Sequence, residues 1–291
     1  MKTKSFVQLA GLSALWGATF LLTRVAAPVF GANLAAALRI TLGALTLAAI
    51  MAFTREPWPK SRWPNLFLLG GLAVAGPHLF YSLASLTLPA SYGSVVSVTS
   101  VLFGTFASAW LKEDTLSVRK LMGCLFGFAG VALVVRLGPI APSPELVAGA
   151  MACAIGAFFS GIATPFLKRA TTHMQPLAIT AGMHATGSLI LAPFALYSLP
   201  TAGFSTPALL AVLTTGILTS GLAYWQYMRI MRDVSPVAAL SSTFMVTGFG
   251  VLWAFVFLNE PISWITGLGA LLVLIATLMV SGFNPWRRPL D

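Results

Sequence analysis

Charge is what this 291-residue chain has least of: 8% of its residues are Asp, Glu, Lys or Arg, against about a quarter in a soluble domain. That deficit excludes an ordinary cytosolic enzyme. Acids are scarcest. All seven, Glu56, Glu113, Asp114, Glu145, Asp233, Glu260 and Asp291, fall between long apolar runs or at their ends. Cysteine is scarce too: Cys124 and Cys153 lie inside apolar runs, so no disulfide framework is implied and both read as small packing residues. No metal-ligand cluster and no phosphate-binding loop stands out, so no metal and no cofactor is expected. No acid lies where it could orient a histidine beside a serine. An intramembrane enzyme would have to work with His78 or His184 alone. A net charge of +10 raises nucleic acid as a partner, but the basic residues come one to three at a time and form no patch. Nucleic acid is therefore excluded.

What is present is apolar: 57% of the residues are hydrophobic. A membrane helix needs about 20 mostly apolar residues. Runs of that kind predict ten spans: Phe6–Ala27, Asn33–Phe53, Asn65–Leu86, Pro89–Leu111, Ser117–Arg136, Glu145–Lys168, Pro176–Leu199, Pro207–Met228, Pro236–Leu258 and Ile262–Phe283. Proline and charge mark the breaks, at Pro57, Pro59, Pro139 to Pro144, Pro176, Pro200, Pro236 and Pro261. Lys2 and Lys4 before an apolar run resemble a signal peptide, but Phe6–Ala27 is too long for one. Outer-membrane strands would alternate in polarity, and these runs do not.

Charge tests the count. With a cytoplasmic N-terminus and single crossings, the inner segments hold Lys2, Lys4, Arg55, Lys60, Arg62, Lys112, Arg119, Lys120, Lys168, Arg169, Arg229, Arg232, Arg287 and Arg288, 14 of the 17 basic residues. Only Arg24, Arg39 and Arg136 fall toward the other side. That bias follows the positive-inside rule and predicts both termini in the cytoplasm. A shift of 147 residues brings Pro89 onto Pro236, Ser94 onto Ser241, Ala107 onto Ala254, Leu111 onto Leu258 and Glu113 onto Glu260. A proline opens the span and a glutamate closes it in both copies. Five spans per copy is an odd number, so the copies face opposite ways, as in many transporters. The expected fold class is an all-α integral membrane protein: ten transmembrane helices as two inverted five-helix repeats, residues 1–138 and 139–291.

Ala14-Leu15-Trp16-Gly17-Ala18-Thr19-Phe20 in the first span resembles the opening motif of the drug/metabolite transporter superfamily, in its EamA-type ten-helix branch. Arg39 in the second span fits that pattern. So do Leu111-Lys112-Glu113, the glycines Gly123, Gly127 and Gly130 of the fifth span, and Leu258-Asn259-Glu260-Pro261. The likeness runs over almost the whole chain. It departs where Gly156-Ala157-Phe158-Phe159 replaces a Trp-Gly pair, and where Ser100 and Thr247 stand near positions that carry proline in many members. Within the superfamily the chain is similar to exporters of amino acids, aromatic ones included. Export is implied by the resemblance alone.

Several residues qualify as substrate contacts. The fourth span carries Gly93, Ser97, Ser100, Gly104 and Ser108 on one face; the ninth carries Ala239, Thr243, Thr247, Gly250 and Ala254 on an equivalent one. Such stripes serve close helix packing or border a cavity. In the third span Pro77 frees a backbone carbonyl, and His78, Tyr81, Ser82 and Ser85 share a face. An ionisable group at that depth is a functional candidate; its plain alternative is a kinked helix with His78 bonded to a neighbour. Trp16 and Phe20, Phe158 and Phe159, and Ser220, Tyr224 and Tyr227 supply rings for core packing or for an aromatic wall. Arg39 sits about 9 Å below the end of its span. It either snorkels to the interface or anchors a carboxylate with its planar fork. His184 is a second polar candidate.

These readings predict alternating access, with the first, third, fourth, sixth, eighth and ninth spans around a central cavity. The cargo is a small molecule, a neutral or aromatic amino acid, exported as a zwitterion. The absence of acids at depth predicts facilitative transport or weak coupling through a histidine. The alternatives are an efflux carrier for drugs or lipophilic cations, and a channel-like pore. The expected setting is the cell inner (cytoplasmic) membrane, with the lipid bilayer as partner and the chain a monomer or weak dimer.

Overall fold

The computed structural model describes residues 3–59, 62–113, 115–137, 143–240, 242–261 and 263–281. Lys2, Lys60, Asp114, Pro139 to Pro142, Ser241, Ile262, Phe283, Arg287, Arg288 and Asp291, all used in the readings above, lie outside the described residues. Among the described residues every regular element is helical. The helices are α1 Thr3–Phe30, α2 Ala32–Thr54, α3 Trp63–Ala84, α4 Ala90–Trp110, α5 Val118–Leu137, α6 Pro144–Ala170, α7 Pro176–Ser198, α8 Thr206–Asp233, α9 Ser242–Leu258 and α10 Trp264–Ser281. A short turn of helix, Pro236–Leu240, precedes α9.

Among the described residues seven segments are long and apolar enough to cross a membrane: those of α1 to α4 and α6 to α8. Met245–Leu258 and Trp264–Ala276, within α9 and α10, are apolar and shorter. Large apolar side chains face outward all round, among them Leu45, Phe53, Leu125, Met151, Leu189, Leu210 and Phe257. So much exposed hydrocarbon marks a lipid-facing surface. Trp58 and Trp63 stack between α2 and α3, and Trp110 and Trp264 are exposed at helix ends, as in an interfacial aromatic belt.

The packing pairs helices across the halves of the chain. The largest contacts are α5 with α10, α3 with α6, α4 with α6, α2 with α7, α1 with α9, α2 with α8, α3 with α7, and α1 with α8. Exchanging each helix of the first half for its counterpart in the second returns the same set. Glycine makes the closest crossings possible. A Cβ on Gly17 would sit 2.8 Å from the Gly250 nitrogen, and one on Gly161 2.8 Å from the Gly104 nitrogen. Gly123, Gly127 and Gly130 line the seam where α5 meets α10.

Two helices are wound wide in corresponding places: α3 is a π-helix over Gly70–Ala75 and α8 over Thr215–Ala223. Such widening shifts the hydrogen-bond ladder and is common at functional sites. Helix ends are matched as well. Arg24 donates to the carbonyls of Ser85 (2.6 Å) and Leu86 (2.9 Å) at the end of α3. Lys168, 144 positions on, donates to those of Met231, Arg232 and Val234 at the end of α8. Cations at helix C-termini satisfy orphan carbonyls and the dipole together.

Lys112 (φ 58°) and Asn259 (φ 51°), after α4 and α9, are both left-handed. The turn swings the following glutamate back toward the helix bundle. Asparagine tolerates this backbone and lysine pays a steric penalty. Lys112→Gly is therefore expected to stabilise the protein by about 0.5–1 kcal/mol, read as a higher melting temperature in detergent.

Candidate functional site: an aromatic cavity with one buried arginine

A cavity of about 160 Å³ lies where α1, α2, α3, α4, α6, α8 and the start of α9 converge. The six spans expected from the sequence all contribute, and α2 joins them through Arg39. Among the described residues none from α5, α7 or α10 lines it.

The aromatic wall is built from α1 outward. Trp16, Thr19, Phe20 and Thr23 follow at steps of three and four, so one face of α1 looks into the cavity. The Trp16 ring meets Tyr227 edge-on at 5.1 Å and Tyr224 at 6.1 Å between centroids, and Phe20 meets Tyr81 at 5.8 Å. The Thr219 carbonyl, on the π-turn of α8, accepts the Trp16 indole N–H at 3.2 Å. Pro77 has no N–H to offer the Ala73 carbonyl, and the Tyr224 hydroxyl donates to that carbonyl at 3.4 Å. Backbone carbonyls thus anchor two of the rings. Trp16→Phe, which keeps the ring and removes its N–H, is expected to cost about 1 kcal/mol, measurable by thermal unfolding.

Arg39 does not snorkel. It is 7% exposed, and its guanidinium turns inward because α8 supplies two hydroxyls there. Nε donates to Ser220 Oγ at 2.8 Å and one Nη to Thr219 Oγ1 at 3.2 Å. Among the described residues no acid lines the cavity. Hydroxyls of Ser97, Ser100, Ser160, Thr164, Ser242 and Thr243 complete the lining. Ser97 and Thr164 give their protons to carbonyls of their own helices, at 2.8 and 2.9 Å, and Ser242 gives its proton to the Ala239 carbonyl of the short turn before α9, at 2.8 Å. The Thr19 hydroxyl is buried without a hydrogen-bond partner.

Of the residues singled out in the sequence, Trp16, Phe20, Arg39, His78, Tyr81, Ser97, Ser100, Tyr224, Tyr227 and Thr243 line this one cavity. Ser82, Phe159 and Thr247 do not. Ser82 turns away from the lining face of α3, and its carbonyl accepts from Ser85. Phe159 packs on Gly76 and stacks on Phe80; Phe158 is largely exposed. Thr247 donates to the Ser94 carbonyl at 2.9 Å, a strut between α9 and α4. His78 lines the cavity while its Nδ1 donates to the Val74 carbonyl at 2.7 Å. His184 lies behind the wall, edge-on to Tyr224 at 5.2 Å, with Nδ1 donating to Thr180. Thr23, Ser160, Thr164 and Ser242 were missed. Thr23 could have been found by extending the Trp16–Phe20 face one turn, whereas no local pattern marks the other three.

The two stripes of small residues divide their work. Gly93, Gly104 and Gly250 take the close contacts with Phe20, Gly161 and Ser94, while Ser97, Ser100 and Thr243 face the cavity.

Residues 4–136 and 147–282 each match the model of the EamA-like transporter family. The chain is 25% identical over 288 residues to the uncharacterized transporter YvbV of Bacillus subtilis, covering 96% of this chain and 92% of that one. It is 25% identical to protein PecM of Dickeya dadantii, with 99% and 95% covered. With the uncharacterized inner membrane transporter YedA of Escherichia coli the figures are 26%, 95% and 90%. A protein crystal structure at 22% identity aligns with a TM-score of 0.68 over 97% of this chain and 99% of that one, a likeness of fold.

Proposed function

Because this chain belongs to the EamA-like transporter family, and is thereby a multi-pass membrane transporter, we propose that it carries small metabolites through the cavity by alternating access, with neutral and aromatic amino acids as substrates. The observation that carries this reading is the lining itself. Rings on α1, α3 and α8, hydroxyls on α4, α6 and α9, and one buried guanidinium surround a space drawn from both matched stretches of the chain. A cavity of about 160 Å³ is near the ~150 Å³ that houses a benzene ring. That suits one aromatic side chain and disfavours a multi-ring drug. Arg39 would also repel a lipophilic cation, the rival cargo. The lining is broken by ring faces, which disfavours a continuous water-filled pore.

The helix pairing that survives exchange of the two halves supports ten spans in two inverted five-helix repeats, 1–138 and 139–291. Each end contact joins residues that this topology puts on one side. Arg169 meets Glu113 at 2.6 Å on the cytoplasmic side, and Glu260 meets Ala90 and Ser91 on the other. A reporter fused after Asp291 is expected in the cytoplasm of an inner-membrane protein, and one inserted between Leu199 and Pro207 on the opposite face. Both on one side would overturn the topology.

The function is tested in proteoliposomes. Vesicles loaded with unlabelled phenylalanine should take up labelled phenylalanine by counterflow, saturably. No counterflow with any neutral amino acid sinks the reading. With no carboxylate among the described residues that line the cavity, an imposed proton gradient is expected to drive no accumulation. Accumulation against the gradient would reject facilitative transport.

A further inference from the structure

Resting on that reading of the cavity, we infer that its ligand is recognised as an aromatic carboxylate, by the Arg39 fork and the ring wall, and that an α-ammonium group contributes nothing favourable. The preferred ligand class is therefore a monocarboxylic acid with one aryl ring and no amine.

Arg39 brings a full positive charge into the bundle, and among the described residues the lining holds no carboxylate to neutralise it. Its visible partners, Ser220 and Thr219, are neutral hydroxyls. A guanidinium has five N–H donors and these bonds occupy two, so the remaining donors have no partner among the described residues. A buried charge left unmatched is costly, and a carboxylate that pairs with the fork in two parallel bonds corrects both deficits. The Thr19 hydroxyl, also unpartnered and on the cavity wall, offers a further donor.

An ammonium group meets the opposite situation. The described lining offers it hydroxyl lone pairs and ring faces but no carboxylate, and it shares a small, poorly screened space with the guanidinium. A bound monoanion leaves the site neutral, a zwitterion leaves it at +1, and an amine raises it to +2. The ranking follows from that sum alone, since all three can place the same ring against Trp16, Phe20 and Tyr81.

The test uses wild-type protein in detergent and four probes with one phenyl ring: 3-phenylpropanoate, phenylalanine, 3-phenylpropanol and phenethylamine. Affinities come from ligand-dependent thermal shifts. The expected order is 3-phenylpropanoate first, about tenfold or more tighter than phenylalanine, with phenethylamine last. Arg39→Gln should abolish the preference for the carboxylate, and Arg39→Lys should retain part of it through charge without the fork. Phenylalanine or phenethylamine binding as tightly as the acid overturns the inference. So does an unchanged preference in Arg39→Gln, or binding of none of the four. Counterflow of the same probes separates this from the carrier reading. Transport with the reverse ranking leaves the carrier standing and removes the inference, whereas the expected ranking without transport does the opposite.

Discussion

Glu260→Ala is expected to open the end of the bundle where α9 meets the start of α4, the end that the proposed topology turns away from the cytoplasm, and to abolish counterflow. The carboxylate closes α9 by reaching across to the first turn of α4. It accepts the backbone N–H groups of Ala90 at 2.8 Å and Ser91 at 2.9 Å, and the Ser91 hydroxyl at 2.6 Å. A helix N-terminus presents orphan donors and a partial positive charge, so this is a three-donor clamp on an anion. Bonds to a charged acceptor contribute about 1.5–3 kcal/mol each. Even heavily discounted for partial exposure, their joint loss is about 3 kcal/mol, and 1.4 kcal/mol already moves an equilibrium tenfold. The balance between closed and open ends should therefore shift by about 100-fold. The readout is labelling of Phe20→Cys by an impermeant maleimide from outside the cell, in a protein lacking Cys124 and Cys153. Slow labelling should become fast in Glu260→Ala, and Glu260→Gln should fall between the two. Unchanged labelling removes the clamp as a gate.

The repeat supplies the control. Glu113 holds the corresponding place after α4, behind the same left-handed residue, yet it pairs with Arg169 at 2.6 Å. That pair is partly exposed, so solvent screens it and it is worth little. Glu113→Gln is accordingly expected to leave labelling of Phe20→Cys unchanged. Two residues that look equivalent along the chain are not equivalent in this conformation, and only the structure separates them.

That contrast marks how far the sequence could be read. Helices followed from the length of the apolar runs, and their limits from proline and charge, because lipid forces every backbone group into internal bonds. Faces were legible on straight helices. Trp16 and Phe20 were placed together correctly because α1 keeps an α-helical period over that stretch. Faces blurred where another chemistry intervened. Thr247 stands on the same stripe as Thr243, but its hydroxyl is spent on the Ser94 carbonyl. Arg39 was open to two opposite readings, since its partners lie some 180 residues away on a π-turn whose widened ladder leaves no sequence signature. Ser160 and Thr164 were missed because Phe158 and Phe159, the conspicuous neighbours, face elsewhere.

Gly161→Leu is expected to yield no folded protein, and Gly161→Ala to cost ~2–3 kcal/mol. The added Cβ would lie 2.7 Å from Phe103 Cβ and 2.8 Å from the Gly104 nitrogen. Backbone cannot swing aside as a side chain can, so α6 and α4 would have to part. Gly17, in the matching crossing of α1 with α9, faces Phe249 Cβ at 2.7 Å and the Gly250 nitrogen at 2.8 Å, so Gly17→Ala should cost about the same. The two crossings sit beside the cavity: Ser97 and Ser100 ride on α4, and Trp16 and Phe20 on α1. Separating either pair should weaken ligand binding as well as stability. Gly123 distinguishes these effects. A Cβ there would lie 2.7 Å from Val280 and 2.9 Å from the Ala276 carbonyl, on the seam of α5 with α10, and neither helix lines the cavity. Gly123→Ala should lower the melting temperature by a similar amount while the affinity for 3-phenylpropanoate holds. If it weakens binding as much as Gly161→Ala does, the cavity is not set locally by the two glycine crossings, and its shape must depend on the packing of the whole bundle.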